Sequence, residues 1–181
     1  MSRPAGPERG PVVVLCGPMG SGKSAVGGEL ARRWGVSLRD TDQDIVEATG
    51  RTIPELFAAD GEPAFRDLEQ RTVVQALSTH DGVLSLGGGA VASEVTRAAL
   101  ADYVARGGRV VFLDVDAEIA MDRVGGDTNR PLLGDDPRRR WEALATQRRP
   151  LYLEVCTHHV RTGRRSLARA ASVVEQRLTG S

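Results

Sequence analysis

Residues 12–34 prescribe a strand, a glycine-rich turn and a helix in immediate succession. Val12-Val13-Val14-Leu15-Cys16 is a short apolar run with the character of a buried parallel strand. Behind it comes Gly17-Pro18-Met19-Gly20-Ser21-Gly22-Lys23-Ser24, the G-x-x-x-x-G-K-S spacing of a phosphate-binding loop. A helical pattern starts at Ser24, with Val26, Leu30 and Trp34 spaced by four on one face. Glycine is required in such a loop because backbone N–H groups must close around phosphate oxygens, and side chains would obstruct the approach. Gly20, Ser21 and Gly22 supply that cradle, Lys23 reaches the β- and γ-phosphates, and the Ser24 hydroxyl is placed to ligate Mg2+. Lys23 is the single lysine among 24 basic residues; the rest are arginine. A compact ammonium suits this position, and the planar arginine fork is a poor substitute.

Composition bounds the remaining possibilities. A length of 181 residues fits one domain, and an apolar share of 40% is enough for a core. The formal net charge of zero gives no reason to expect a nucleic-acid or membrane partner. Cys16 and Cys156 fit no metal spacing and read as small core residues. Residues 1–11, rich in Pro, Gly and Arg, are expected to be a disordered lead-in without the apolar stretch of a signal peptide. No segment approaches the roughly 18 consecutive apolar residues of a membrane span. The expectation is a cytoplasmic protein, with nothing arguing against a monomer.

Apolar runs at 12–16, 37–39, 83–86, 109–115 and 157–161 alternate with helical patterns at 23–34, 43–49, 53–58, 63–78, 94–106, 117–123, 138–154 and 166–178. This alternation predicts an α/β fold of three layers, a parallel sheet covered on both faces. Thr52-x-x-Glu55 is a capping-box pattern with Pro54 in the first turn. Gly61-Glu62-Pro63 separates two helices, Ser93 caps another, and Gly107-Gly108 ends it. Leu167, Ala171, Val174 and Leu178 share a packing face. The polar, glycine-rich segment 124–137 reads as a short lid that excludes water from a bound nucleotide.

Asp40-Thr41-Asp42 follows the second apolar run, at the carboxyl edge where open α/β sheets bind ligands. On an extended chain both carboxylates point to one side, so one can hold Mg2+ through its waters and the other can orient an attacking hydroxyl. Leu84-Ser85-Leu86-Gly87-Gly88-Gly89 is a second strand running into glycines, which lets a substrate approach the backbone and exposes N–H donors. Arg66, Arg123, Arg130 and Arg148 can converge on the same edge, with Glu69 one turn beyond Arg66 to hold its guanidinium. The histidines fit no catalytic spacing and read as structural.

These motifs occur in the order and spacing of the shikimate kinase family, which the chain resembles from about residue 12 to 165. They comprise the phosphate loop, Asp40-Thr41-Asp42, Gly50 through Phe57, Gly61-Glu62 through Arg66 and Glu69, Gly87-Gly88-Gly89, Arg130-Pro131-Leu132-Leu133, and Arg148 before Leu151-Tyr152. The resemblance implies the P-loop NTPase fold of nucleoside-monophosphate kinases, a five-stranded parallel sheet in the order 2-3-1-4-5. Residues 12–178 would form one kinase domain, with a substrate-binding region at about 40–78 and the lid at about 124–137. It implies transfer of phosphate from ATP, with Mg2+, to the 3-hydroxyl of shikimate. It further implies that Ser24 and Asp40 serve the metal, and that Asp42 binds shikimate and is the proposed base. Arg66, the Gly87–Gly89 turn and Arg148 would bind shikimate. Arg130 would reach the ATP phosphates, Arg123 would pack against adenine, and Arg165 would be a second nucleotide-loop arginine. Ala25 stands where such loops often carry threonine.

Shikimate's carboxylate suits bidentate arginine, and its hydroxyls suit an acceptor such as Asp42. Among these cations Asp42 is expected to have a low pKa. A gluconate or nucleotide kinase, or a nucleotide-dependent binding module, would share the phosphate loop. A GTPase would need a second lysine for its guanine motif.

Overall fold

The computed structural model describes residues 4, 6–124, 136–164 and 166–180. Five strands form one sheet: β1 (Val13–Cys16), β2 (Leu38–Asp40), β3 (Val83–Ser85), β4 (Val110–Asp114) and β5 (His158–Arg161). Their order is β2-β3-β1-β4-β5 and every pairing is parallel, as expected. Among the described residues seven α-helices surround it: α1 (Lys23–Trp34), α2 (Thr41–Thr49), α3 (Ile53–Thr79), α4 (Glu94–Ala105), α5 (Ala117–Val124), α6 (Pro137–Val155) and α7 (Leu167–Thr179).

Alternation along β1 explains the three layers. Val13 and Leu15 face a core shared with Val26, Leu30 and Trp34 of α1 and Val174 and Leu178 of α7. Val14 and Cys16 face the opposite core, with Leu77 of α3, Leu100 and Tyr103 of α4 and Tyr152 of α6. Period two on a strand sends neighbours to opposite faces, so a continuous apolar run serves both. Burying each such Val or Leu contributes roughly 1.5–3 kcal/mol relative to exposure.

Several local expectations hold. Thr52 and Glu55 form a complete capping box with Pro54 in the first turn. Gly61, at φ 80° and ψ 167°, is non-helical backbone inside α3, so Ile53–Thr79 is two helices meeting at a kink there, as expected. Ser93 caps α4 by accepting from the Thr96 amide. Other expectations need correction. The segment expected to be a disordered lead-in is packed over part of its length: Pro4 and Pro11 are buried, and the Pro11 carbonyl accepts from Tyr103 Oη at 3.0 Å. Leu167 is 45% exposed, outside the packing face that Ala171, Val174 and Leu178 share. A single 3-10 turn at Ala90–Ala92 follows the glycines and was not expected.

The chain order places the loops after β1, β2 and β3 at the same carboxyl edge of the sheet. β3 lies between β1 and β2, and β4 pairs on the other side of β1. That reversal of strand order opens the crevice in which ligands bind in such sheets.

Candidate active site

The phosphate loop connects β1 to α1. Gly20 and Gly22 hold φ values of 76° and 90°, which only glycine adopts without strain. No side chain caps the first turn of α1. Uncapped N–H groups and the positive end of the helix dipole make such a terminus a ready anion site. Lys23 folds over the loop, with Nζ donating to the carbonyls of Gly17 (2.8 Å) and Pro18 (3.0 Å). A cleft of about 330 Å3 opens beside it, lined among others by Gly20, Lys23, Ser24, Ala25, Asp42, Gly88 and Arg123.

Ser24 Oγ donates to Asp40 Oδ2 at 2.7 Å. Asp40 Oδ1 in turn accepts from the Asp42 amide at 3.0 Å, so Asp40 is the N-cap of α2. The chain is therefore not extended through Asp40-Thr41-Asp42, as the sequence suggested. It turns into a helix at Thr41, because a capping aspartate satisfies an orphan first-turn amide. Both carboxylates nonetheless line the same cleft. Among the described residues no group of three or more His, Cys, Asp or Glu could enclose a metal ion. A serine hydroxyl beside one carboxylate is a hard-oxygen pair that suits Mg2+, which keeps several waters and phosphate oxygens as its other ligands.

A second group of residues adjoins Asp42 at Gly87 without lining that cleft: Arg66 lines a separate pocket with Glu62 and Ser93, and Arg148 another with Met19, Trp141 and Tyr152. Arg66 Nη1 donates to Glu69 Oε2 at 2.5 Å, and Nε and Nη2 contact Glu62 at 3.3 and 3.2 Å. Glu69 is 2% exposed, and burial pushes its carboxyl up, with Arg66 opposing the shift. The Arg66 guanidinium lies 5.3 Å from the Phe65 ring centroid and 5.9 Å from that of Phe57. Arg148 is 8% exposed, and burial, with the nearby Arg66, pushes its pKa down.

Gly87 explains how these parts fit. A Cβ on it would lie 2.5 Å from Asp42 Oδ1 and 2.6 Å from Glu69 Oε1, so the absence of a side chain lets two carboxyl groups approach one point. Burial is the largest cause raising Asp42 from 3.8 to about 7, followed by the charges of Glu69 and Asp40; Lys23 and Arg66 oppose it. This corrects the expectation of a low value. The cations are present, but withdrawal from water and two neighbouring carboxyls outweigh them.

The glycine turn also behaves differently from expectation. The Gly87 N–H is taken by Thr41 Oγ1 at 3.0 Å. A Cβ on Gly89 would meet Arg66 Nη1 at 2.1 Å. These two glycines make room for neighbouring side chains, while Gly88 lines the cleft. Arg123 ties two loops together, with Nη1 donating to the Gly20 carbonyl (2.9 Å) and Nη2 to that of Gly163 (2.8 Å). Arg130, Arg165 and most of the expected lid lie outside the described residues.

The structure adds Trp141, which no sequence motif includes, and gives roles to Thr41 and Tyr152, which the motifs contain without a role. Thr41 stands between two aspartates and was passed over as a spacer. Trp141 Nε1 donates to the Met19 carbonyl at 2.9 Å, and Tyr152 Oη donates to the Gly88 carbonyl at 2.5 Å. Positions 141, 148 and 152 fall on one helical face, a spacing that would have grouped both with Arg148.

A family model described as SKI, shikimate kinase, matches residues 19–179. The chain is 50% identical over 164 residues to a shikimate kinase of Streptomyces avermitilis, covering 91% of this chain and 93% of that one. It is 51% identical over 156 residues to a shikimate kinase of Streptomyces coelicolor, covering 86% and 88%. Among solved structures, a shikimate kinase from Acinetobacter baumannii in complex with shikimate aligns with a TM-score of 0.89 at 33% identity, over 96% of this chain and 94% of that one.

Proposed function

The chain belongs to the shikimate kinase family, and from this premise we propose that it transfers the γ-phosphoryl group of ATP to the 3-hydroxyl of shikimate. The products are shikimate 3-phosphate and ADP, on the route to chorismate and the aromatic amino acids. The observation that carries the assignment is the position of Asp42. It stands where the cleft lined by Lys23, Ser24 and Asp40 meets the Arg66–Glu69 pair across Gly87.

The division of labour follows from that geometry. The amides of the phosphate loop and Lys23 hold the donor's phosphates. Ser24 and Asp40 would hold Mg2+, which when bound neutralises charge on the phosphates. Arg66, oriented by Glu69, and Arg148 would grip the acceptor's carboxylate, and Gly88 offers its backbone beside them. Asp42 would accept the acceptor hydroxyl and aim it for in-line attack. The transferred group is loosely bonded in such transition states, so orientation and charge neutralisation outweigh proton abstraction. Shikimate in this site would give the buried Asp42 hydroxyl partners, and its carboxylate would draw on the two arginines.

Arg123 would lie against the adenine while joining the phosphate loop to Gly163. Arg130, from a lid at about 124–137, and Arg165 are proposed as further nucleotide contacts. The working unit is proposed to be one kinase domain over 12–178, acting as a monomer in the cytoplasm. No helix among the described residues is long and apolar enough to cross a membrane.

The test is ADP release from ATP and Mg2+ with shikimate, gluconate, nucleoside monophosphates or no acceptor, for wild type and Lys23→Met. Turnover with shikimate alone, lost in the variant, is the expected result. Turnover with another acceptor would overturn the roles of Arg66, Gly88 and Arg148.

A further inference from the structure

Tyr152 is 1% exposed, yet its hydroxyl meets the acceptor side of the site. It donates to the Gly88 carbonyl at 2.5 Å. Arg148, one turn earlier on α6, directs Nη1 to the same oxygen at 3.4 Å. A carbonyl oxygen has two lone pairs and can serve both donors. Burial pushes the Tyr152 phenol upward, so it keeps its proton and remains a donor.

Behind Tyr152 the contacts continue to the end of β4. Its ring stacks on Phe112, with centroids 5.0 Å apart, and Phe112 stacks on His159 at 4.9 Å. The Arg149 guanidinium lies 5.7 Å from the Phe112 centroid. Asp114 Oδ2 accepts from Arg149 Nη1 at 2.6 Å and lies 2.9 Å from His159 Nε2. This anchoring flanks Pro150 in α6. Pro150 sits inside the helix and has no N–H to give the Thr146 carbonyl one turn back, so the turn that carries Arg148 has a ladder bond fewer.

We propose that Tyr152 is a positioning residue, whose hydroxyl fixes the Gly88 carbonyl against α6 and thereby sets the Arg148 guanidinium and the glycine turn at the separation shikimate requires. The proposal rests on the assignment of shikimate as acceptor. Asp114, through Arg149 and His159, is the outer anchor of the same arrangement.

Tyr152→Phe removes one hydroxyl and leaves the ring stack in place. Losing one buried neutral hydrogen bond corresponds to about a five- to tenfold change in binding. The expected result is a rise of that size in the shikimate KM and in the shikimate Kd measured by calorimetry without nucleotide. The KM for ATP and kcat should stay within about twofold. Asp114→Asn, which keeps the shape and weakens the outer anchor, should give the same pattern at about twofold. An unchanged shikimate KM and Kd in Tyr152→Phe would overturn the proposal. So would a joint loss of shikimate affinity, ATP affinity and thermal midpoint, which marks packing alone. A wild-type protein inactive with shikimate would remove the acceptor assignment and this proposal with it; an active wild type beside an unaffected variant would remove the proposal alone.

Discussion

The two halves of the proposed site are built in opposite ways. The phosphate end is nearly contiguous in sequence: residues 17–25 bring backbone amides, one lysine and one hydroxyl, and Asp40 joins them through a 2.7 Å hydrogen bond. The proposed acceptor end draws Asp42 from α2, Arg66 and Glu69 from α3, Gly88 from the turn after β3 and Arg148 from α6. Its electrostatics also differ. At the phosphate end an uncapped helix start and a lysine await anions. At the acceptor end two carboxyls crowd one point beside Gly87, and both are pushed up by burial. On this proposal donor binding can rely on local backbone geometry, whereas acceptor recognition would exist only after four distant pieces have packed.

The strongest test of this division is Asp42→Asn, which sits at the junction. An amide keeps the size and one acceptor oxygen but loses the charge that draws the hydroxyl. We expect kcat to fall by about two orders of magnitude or more, as for losing the group that orients a nucleophile, with the KM for ATP within about threefold. Initial-rate kinetics at saturating shikimate would measure it. A variant turning over at a near-normal rate would remove Asp42 from the reaction.

Next in size is Gly89→Ala. Its Cβ would fall 2.1 Å from Arg66 Nη1, a guanidinium already held by Glu69 and Glu62. Arg66 must move, and the KM for shikimate should rise about tenfold or more, as expected for a lost charge-assisted contact, while that for ATP stays put. Equal rises in both constants would mean that the two ends do not act separately. Arg123→Ala is the mirror experiment. It removes the ties to Gly20 and Gly163 and should raise the KM for ATP by about fivefold, the value of a hydrogen bond or two, without touching that for shikimate.

The same contrast explains what the sequence disclosed. The phosphate loop, the Thr52–Glu55 box and the Gly61 break are set by residues within one or two turns of each other, and each was legible. The strand order came through the family resemblance, since no local pattern places β3 between β1 and β2. Asp40 as a helix cap was also locally written, but an aspartate after an apolar run reads as the end of a strand just as well. The pKa of Asp42 was not legible. It depends on Glu69, which reaches it only because Gly87 lacks a side chain, and on burial that exists only in the folded chain. Tyr152 and Gly88 are 64 positions apart, and no spacing rule joins a tyrosine to a carbonyl at that distance.

The smallest predicted effect concerns stability and reads the acceptor end without any substrate. Asp42 is raised in the folded protein from 3.8 to about 7, so between about pH 4 and 7 the folded chain binds a proton that the unfolded chain has released. Its contribution to stability is then full below about pH 4 and is lost as pH rises through about 7. Asp42→Asn cannot ionise and escapes that loss. In the nucleotide-free protein the variant should therefore gain on the wild type as pH rises through about 7, with little gain at about pH 4. Urea unfolding at about pH 5, 6.5 and 8 measures the difference. Two curves that stay parallel across this range would mean that Asp42 is ionised throughout and that the carboxyl pair beside Gly87 carries no strain. A gap that opens with pH would mean that the acceptor end holds electrostatic cost in reserve, relieved when a hydroxyl and a cation arrive, in contrast to a phosphate end whose only demand is for an anion.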